Sequence, residues 1–135
     1  MRILAIDYGD VKIGLAMSDP LGITAQPLLT IKNNKNVFNE IKKIVQEYSV
    51  EKIIAGLPLN MNGSYGKSSE KVISFIEELK NFVNIDIEFI DERLTTEQAE
   101  KTLIESDISR KKRKKNIDKV TASIILQTYL ERKRC

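Results

Sequence analysis

Four consecutive apolar residues near the start of the chain, Ile3, Leu4, Ala5 and Ile6, put apolar side chains on both faces of any strand they form. A strand of that kind is stable only at the centre of a sheet covered on both sides. The run therefore calls for an α/β fold with helices packed on a central sheet. It ends on Asp7, and Gly9 follows two residues later. A carboxylate at the end of a buried strand is costly unless a metal, a proton or a hydrogen-bond donor meets it. Gly9 is expected to let the chain turn at positive φ and to bring backbone close to whatever Asp7 holds. For these residues by themselves, a plain strand end with a tight turn explains the pattern equally well.

The rest of the chain extends the same architecture. Val11–Ser18 alternates and reads as an antiparallel hairpin partner of the first strand. Ile23–Ile31 makes a third strand, and Pro27 puts it at a sheet edge. Val37, Ile41, Ile44, Val45 and Tyr48 recur at helical spacing. Lys52–Leu57 reads as a buried strand, Ser68–Phe82 as an amphipathic helix and Ile85–Ile90 as a further strand. Thr95 with Gln98 is a capping-box signature for a helix running to about Glu105. A basic loop should then lead to a last helix from Ile117 to about Arg132. Three meandering strands followed by β-α units give one five-stranded mixed sheet flanked by helices, the order of the ribonuclease H-like fold. No repeat or linker divides the 135 residues, so a single domain is expected.

Composition removes most chemistries. The chain has no histidine, which excludes Ser-His and Cys-His nucleophile pairs and the usual zinc sites. Its one cysteine is Cys135, so no internal disulfide is expected, and a reducing cytoplasm is the natural setting. No apolar run is long enough to span a bilayer, and the opening residues lack a signal-peptide pattern. Net charge is +3, but nine of the 22 basic residues lie at Arg110–Lys115 and Arg132–Arg134. The remainder holds 13 basic against 19 acidic residues, so an acidic body carries a basic C-terminal quarter. The basic segment has no interleaved apolar face, which suits a polyanion better than a membrane.

Carboxylates are left to do the chemistry. Three acidic sites fall at element ends: Asp7, Asp91-Glu92, and Asp118 at the start of the last helix. Carboxylates and waters are the ligands Mg²⁺ or Mn²⁺ prefers, and paired ions can cut phosphodiesters without histidine. Each site also has a plainer explanation. Asp118 could simply favour a helix N-terminus, and Asp91-Glu92-Arg93 could be a solvated strand end with its own ion pair. If the first and fifth strands flank the fourth, their axes lie about 9.6 Å apart. The longer Glu92 would then reach Asp7 more readily than Asp91. Arg93 can grip a phosphate with two donors. The loop through Gly63 and Gly66 to Lys67 offers a phosphate cradle ahead of a helix, although its spacing is not that of a P-loop.

Taken together, these segments resemble the YqgF (RuvX-like) family, whose members are described as candidate Holliday-junction resolvases or pre-16S rRNA nucleases of the ribonuclease H-like superfamily. The residues that carry the resemblance are Asp7-Tyr-Gly9 with Ile13-Gly-Leu-Ala-Met-Ser-Asp19, Gly56-Leu-Pro58 with Gly63, Asp91-Glu-Arg-Leu-Thr-Thr96, and Ile117–Leu130. The resemblance implies that Asp7, Glu92 and Asp118 form the catalytic, metal-binding set. Lys12 stands where the family usually has arginine, which keeps the charge and loses the bidentate fork.

The expected function is a cytoplasmic nuclease dependent on Mg²⁺ or Mn²⁺ and acting on structured nucleic acid. Precursor 16S rRNA 5′ processing is favoured, with a DNA junction as alternative. Arg93, Lys67 and the basic residues Arg110, Lys111, Lys112, Arg113, Lys114 and Lys115 would bind substrate. A junction resolvase would want a two-fold homodimer, whereas an rRNA-trimming enzyme could work alone or with ribosome-assembly partners. Two rival classes are an assembly factor that binds nucleic acid without appreciable turnover, and an actin-like phosphotransferase. The second rests on Asp7-x-Gly9 with Gly14, and one lobe is too little chain for it.

Overall fold

The computed structural model describes residues 2–60, 62–91 and 110–134, with side chains in the last helix described from Lys119 to Arg132. The elements are β1 (Arg2–Asp7), β2 (Lys12–Ser18), β3 (Ala25–Lys32), α1 (Val37–Glu47), β4 (Val50–Leu57), α2 (Lys67–Leu79), β5 (Asp86–Asp91) and α3 (Arg110–Arg134). The expected helix from Thr95 to Glu105 lies outside the described residues. The strands form one sheet in the order β3-β2-β1-β4-β5. β1 pairs antiparallel with β2 and parallel with β4, and β4 pairs parallel with β5. This is the five-stranded mixed sheet expected from the sequence, with β1 at its centre.

The two faces of β1 do what its apolar run requires. Leu4 and Ile6 enter a core with Leu15, Ile53, Ile41 and Ile76, beneath α1 and α2. Ile3 and Ala5 enter a second core with Ala16, Ile54, Ala122, Ile125 and Leu126, beneath α3. Ala5 and Ala16 are cross-strand partners, and their small side chains meet another alanine, Ala122, on the helix. Each fully buried Ile or Leu contributes about 1.5–3 kcal/mol, so both cores stabilise the sheet substantially.

Local chemistry sets the boundaries. β3 is an edge strand, and Pro27 sits opposite Ala16 beside a register shift, where a missing N–H costs least. α1 presents Val37, Ile41 and Ile44 on one stripe, and Ser49 then takes a left-handed φ of 54° to turn the chain into β4. α2 buries Ser69, Val72, Phe75, Ile76 and Leu79. The last helix departs from expectation at its start. Residues 110–116 belong to α3 and not to a loop.

Candidate active site at the end of the central strand

Asp7 ends β1 and is half-buried. Alternation along the strand places it on the face of Ile3 and Ala5, the face that α3 covers. Its cross-strand partner on β2 is Gly14, whose own partner on β3 is Thr30. On the other side Ile6 is level with Ala55, so Gly56 is the next residue of β4 beside Asp7. Glycine thus stands beside Asp7 on both neighbouring strands.

The turn after Asp7 is fixed from three directions. A Cβ on Gly9 would fall far inside contact distance of the Lys12 carbonyl oxygen. Asn33 Nδ2 donates to the Gly9 carbonyl at 2.9 Å, and the Asn33 N–H donates to the Val11 carbonyl at 2.9 Å. Lys71 Nζ lies 3.1 Å from Asp10 Oδ1, tying the turn to α2. The expectation of a positive φ at Gly9 is corrected here, since the left-handed glycines among the described residues are Gly22 and Gly63. Gly9 is required by close approach of backbone. Asn33 was not singled out in the sequence, because nothing in its neighbourhood shows that the end of β3 returns to this turn.

β1 and β5 flank β4, as the reach argument for Glu92 requires. Leu57 of β4 is level with Asp91. Asp91 shares its strand face with Ile87 and Phe89, and Ile87 packs on the core beneath α1 and α2. Asp7 lies on the other face, so Asp91 does not share its side of the sheet. Glu92 and Arg93 lie outside the described residues.

Asp118 is the ninth residue of α3, well beyond the first turn, so a helix-start role is removed. Position 118 lies one helical turn before Ala122, which packs against the sheet. Its neighbour Lys119 lines a cavity with Lys12, Thr30 and Lys32, beside the Asp7 end of the sheet. The far half of the helix reaches the other end, where Gln127 Oε1 accepts the Ala25 N–H at 3.2 Å. The side chains of Arg110, Lys111, Lys112, Arg113, Lys114, Lys115 and Asp118 lie outside those described. Among the described residues no group of three acidic or sulfur ligands forms a metal site.

The loop before α2 is tied by its own hydrogen bonds. The N–H groups of Asn60, Gly63 and Ser64 are already bound to Ser64 O, Asn60 O and Asn62 Oδ1, at 2.9, 2.8 and 3.0 Å. Those three donors are consumed within the loop, which leaves the first turn of α2 at Lys67 as the part of the expected cradle open to a phosphate. Lys67 is exposed at the first turn of α2 and lines an open cavity of about 630 Å³ with Tyr8, Asn33 and Phe75.

Among the described residues, Asp19 and Lys52 have shifted pKa values. The backbone N–H groups of Thr24 and Ile23 hold the Asp19 carboxyl below its ordinary value. Lys52 is raised, first by hydrogen bonding to Tyr129 and then to Glu88, against the opposing effect of burial. Its ammonium lies 3.2 Å from Glu88 Oε1 and 3.5 Å from Asp86 Oδ2. That network joins β4, β5 and α3 and is structural.

A family model described as "RuvX: Holliday junction resolvase" matches residues 1–132. The chain belongs to this family. It is 52% identical over 133 residues to a Clostridium botulinum protein named "Putative pre-16S rRNA nuclease", with 97% of each chain covered. A protein of the same name from Desulforamulus reducens is 51% identical over 133 residues, again with 97% of each chain covered. The fold is similar to that of the fowlpox virus resolvase in its complex with Holliday junction DNA, with TM-score 0.63 and 16% identity over 98% of both chains. Thermus thermophilus RuvC in complex with a Holliday junction gives TM-score 0.61 and 10% identity, covering 98% of this chain and 96% of that one. This chain and these resolvases thus share one ribonuclease H-like fold.

Proposed function

We propose that this chain is a divalent-metal-dependent endonuclease that cuts phosphodiester bonds in structured nucleic acid, with 5′-end processing of pre-16S rRNA as its favoured task. The observation that carries this reading is the position of Asp7. It is a carboxylate at the end of the central strand, beside two glycines, on the face crossed by the helix that holds Asp118. With no histidine and one terminal cysteine, the available donors are hard oxygens, which fit Mg²⁺ or Mn²⁺. Asp7, Glu92 and Asp118 would hold the ion, which when bound supplies Lewis-acid activation of water and charge neutralisation at the leaving oxygen.

The remaining work falls to the chain. The bare backbone at Gly14 lets a sugar–phosphate strand approach Asp7 closely. Asn33 and the Asp10–Lys71 pair hold the turn after Asp7, so that its carboxylate keeps one orientation. Arg93 would grip nonbridging phosphate oxygens through two donors. Lys67 and the helical run Arg110–Lys115 would neutralise flanking phosphates, making binding fall steeply with salt.

A DNA junction is the second reading, favoured by the description of the family model. It would bring a two-fold dimer, whereas the rRNA reading brings a cytoplasmic enzyme working near ribosome-assembly partners. The test is cleavage of labelled pre-16S rRNA 5′ segments, a four-way DNA junction and duplex DNA, with Mg²⁺, Mn²⁺ or EDTA. Metal-dependent cuts in the rRNA segment are expected. Cuts in the junction alone would shift the substrate to DNA, and binding without cleavage of any substrate would leave an assembly factor.

A further inference from the structure

The β2–β3 ladder contains a pairing that fold stability does not explain. Lys12 and Lys32 are directly opposite each other in the antiparallel register. Like charges in that arrangement repel and destabilise a sheet. Lys119 of α3 joins them at a cavity of about 380 Å³ that Thr30 also lines. Among the described residues none of the three lysines is in an ion pair, although other lysines of this chain find partners: Lys52, Lys71 and Lys80. Three cations on three separate elements therefore converge on one cavity, with no acid among its described lining residues.

The position of the cluster gives it a purpose. Lys12 lies two residues beyond Gly14 on β2, and Gly14 is the partner of Asp7. From strand spacing and rise, Lys12 is about 8 Å from Asp7 across the sheet. A nucleic-acid strand covers that distance within about two nucleotides of the scissile bond. The path from Asp7 to the lysines crosses glycine at position 14 and the short Thr30 at the next strand.

We infer that Lys12, Lys32 and Lys119 form a phosphate-binding subsite for the nucleic-acid strand flanking the scissile bond, on the β2–β3 side of Asp7. The subsite rests on the nuclease reading above and adds a direction to it, since the substrate backbone runs from Asp7 over Gly14 toward the β3 edge. It exchanges lysine–lysine repulsion in the free protein for phosphate contacts in the complex. Removing the charges should therefore weaken binding without weakening the fold.

The experiment compares wild type with a Lys12→Gln/Lys32→Gln/Lys119→Gln variant and a charge-matched Lys35→Gln/Lys42→Gln/Lys43→Gln control. Binding of a fluorescent single-stranded RNA and of a four-way DNA junction is measured in EDTA across a salt series, together with the thermal midpoint. The subsite variant should lose about 2 from the log–log salt slope on single-stranded RNA, at roughly 0.7 per phosphate contact. Its thermal midpoint should equal or exceed that of wild type, and the control should keep the wild-type slope. A wild-type slope in the subsite variant, an equal loss in the control, or a lowered midpoint would overturn the subsite while leaving the nuclease reading intact. Failure of wild type itself to bind either nucleic acid would overturn both.

Discussion

Replacing Gly9 by alanine separates two explanations of the turn after Asp7. A Cβ at this position meets the Lys12 carbonyl, which is backbone and cannot rotate away as a side chain would. Relief requires the turn to open, at about 1–3 kcal/mol by analogy with overpacked cores. Opening it also strains the 2.9 Å hydrogen bond from Asn33 to Gly9, worth roughly 0.5–1.5 kcal/mol. Together Gly9→Ala should cost about 2–4 kcal/mol. Urea unfolding followed by circular dichroism would show this as a lower midpoint at unchanged slope. Gly9→Asn supplies the control, because asparagine tolerates a left-handed φ far better than alanine does, yet carries the same Cβ. Both variants should lose comparable stability. A well-tolerated Gly9→Asn beside a damaged Gly9→Ala, or a loss below about 0.5 kcal/mol in both, would refute close approach as the reason for glycine.

Other perturbations follow from the same packing. Ile125→Ala empties a fully buried position between α3 and the sheet and should cost about 2–5 kcal/mol in denaturant unfolding. Ser69→Ala removes a donor to the Pro58 carbonyl from a fully buried site and should cost about 1–3 kcal/mol, leaving that carbonyl short of a partner. Asp19 has a folded-state pKa below its ordinary value of 3.8, so its contribution is present above that value and is lost as pH falls through the lower folded pKa. Asp19→Asn should accordingly flatten the acid limb of a stability–pH curve below about pH 4 and leave its alkaline side unchanged.

The sheet was legible because its strongest signal is local. Ile3 to Ile6 can be apolar throughout only in a strand covered on both sides, and Pro27 marks an edge whatever the register. The start of α3 was not legible from periodicity. Residues 110–115 are all lysine and arginine and show no apolar stripe, yet both are good helix formers and lead into a well-packed helix. Asp118 consequently moved from a helix start to the ninth position of a long helix. The lysine cavity was hidden for another reason. Opposition of Lys12 and Lys32 depends on a register shift near Pro27, and the approach of Lys119 depends on how α3 crosses the sheet. Neither can be read from spacing along the chain. Asp7, by contrast, was marked by its own strand, and Gly14 became its neighbour only once the hairpin register was known.

The most direct test of the Asp7 site is single-turnover cleavage by wild type, Asp7→Asn, Glu92→Gln and Asp118→Asn with Mn²⁺, with substrate affinity measured in parallel. Each variant should bind nucleic acid within a few-fold of wild type and lose at least about 10²-fold in cleavage rate, the scale of one lost transition-state contact of roughly 2.7 kcal/mol. Cleavage at the wild-type rate in Asp7→Asn would contradict a catalytic site at the end of the central strand.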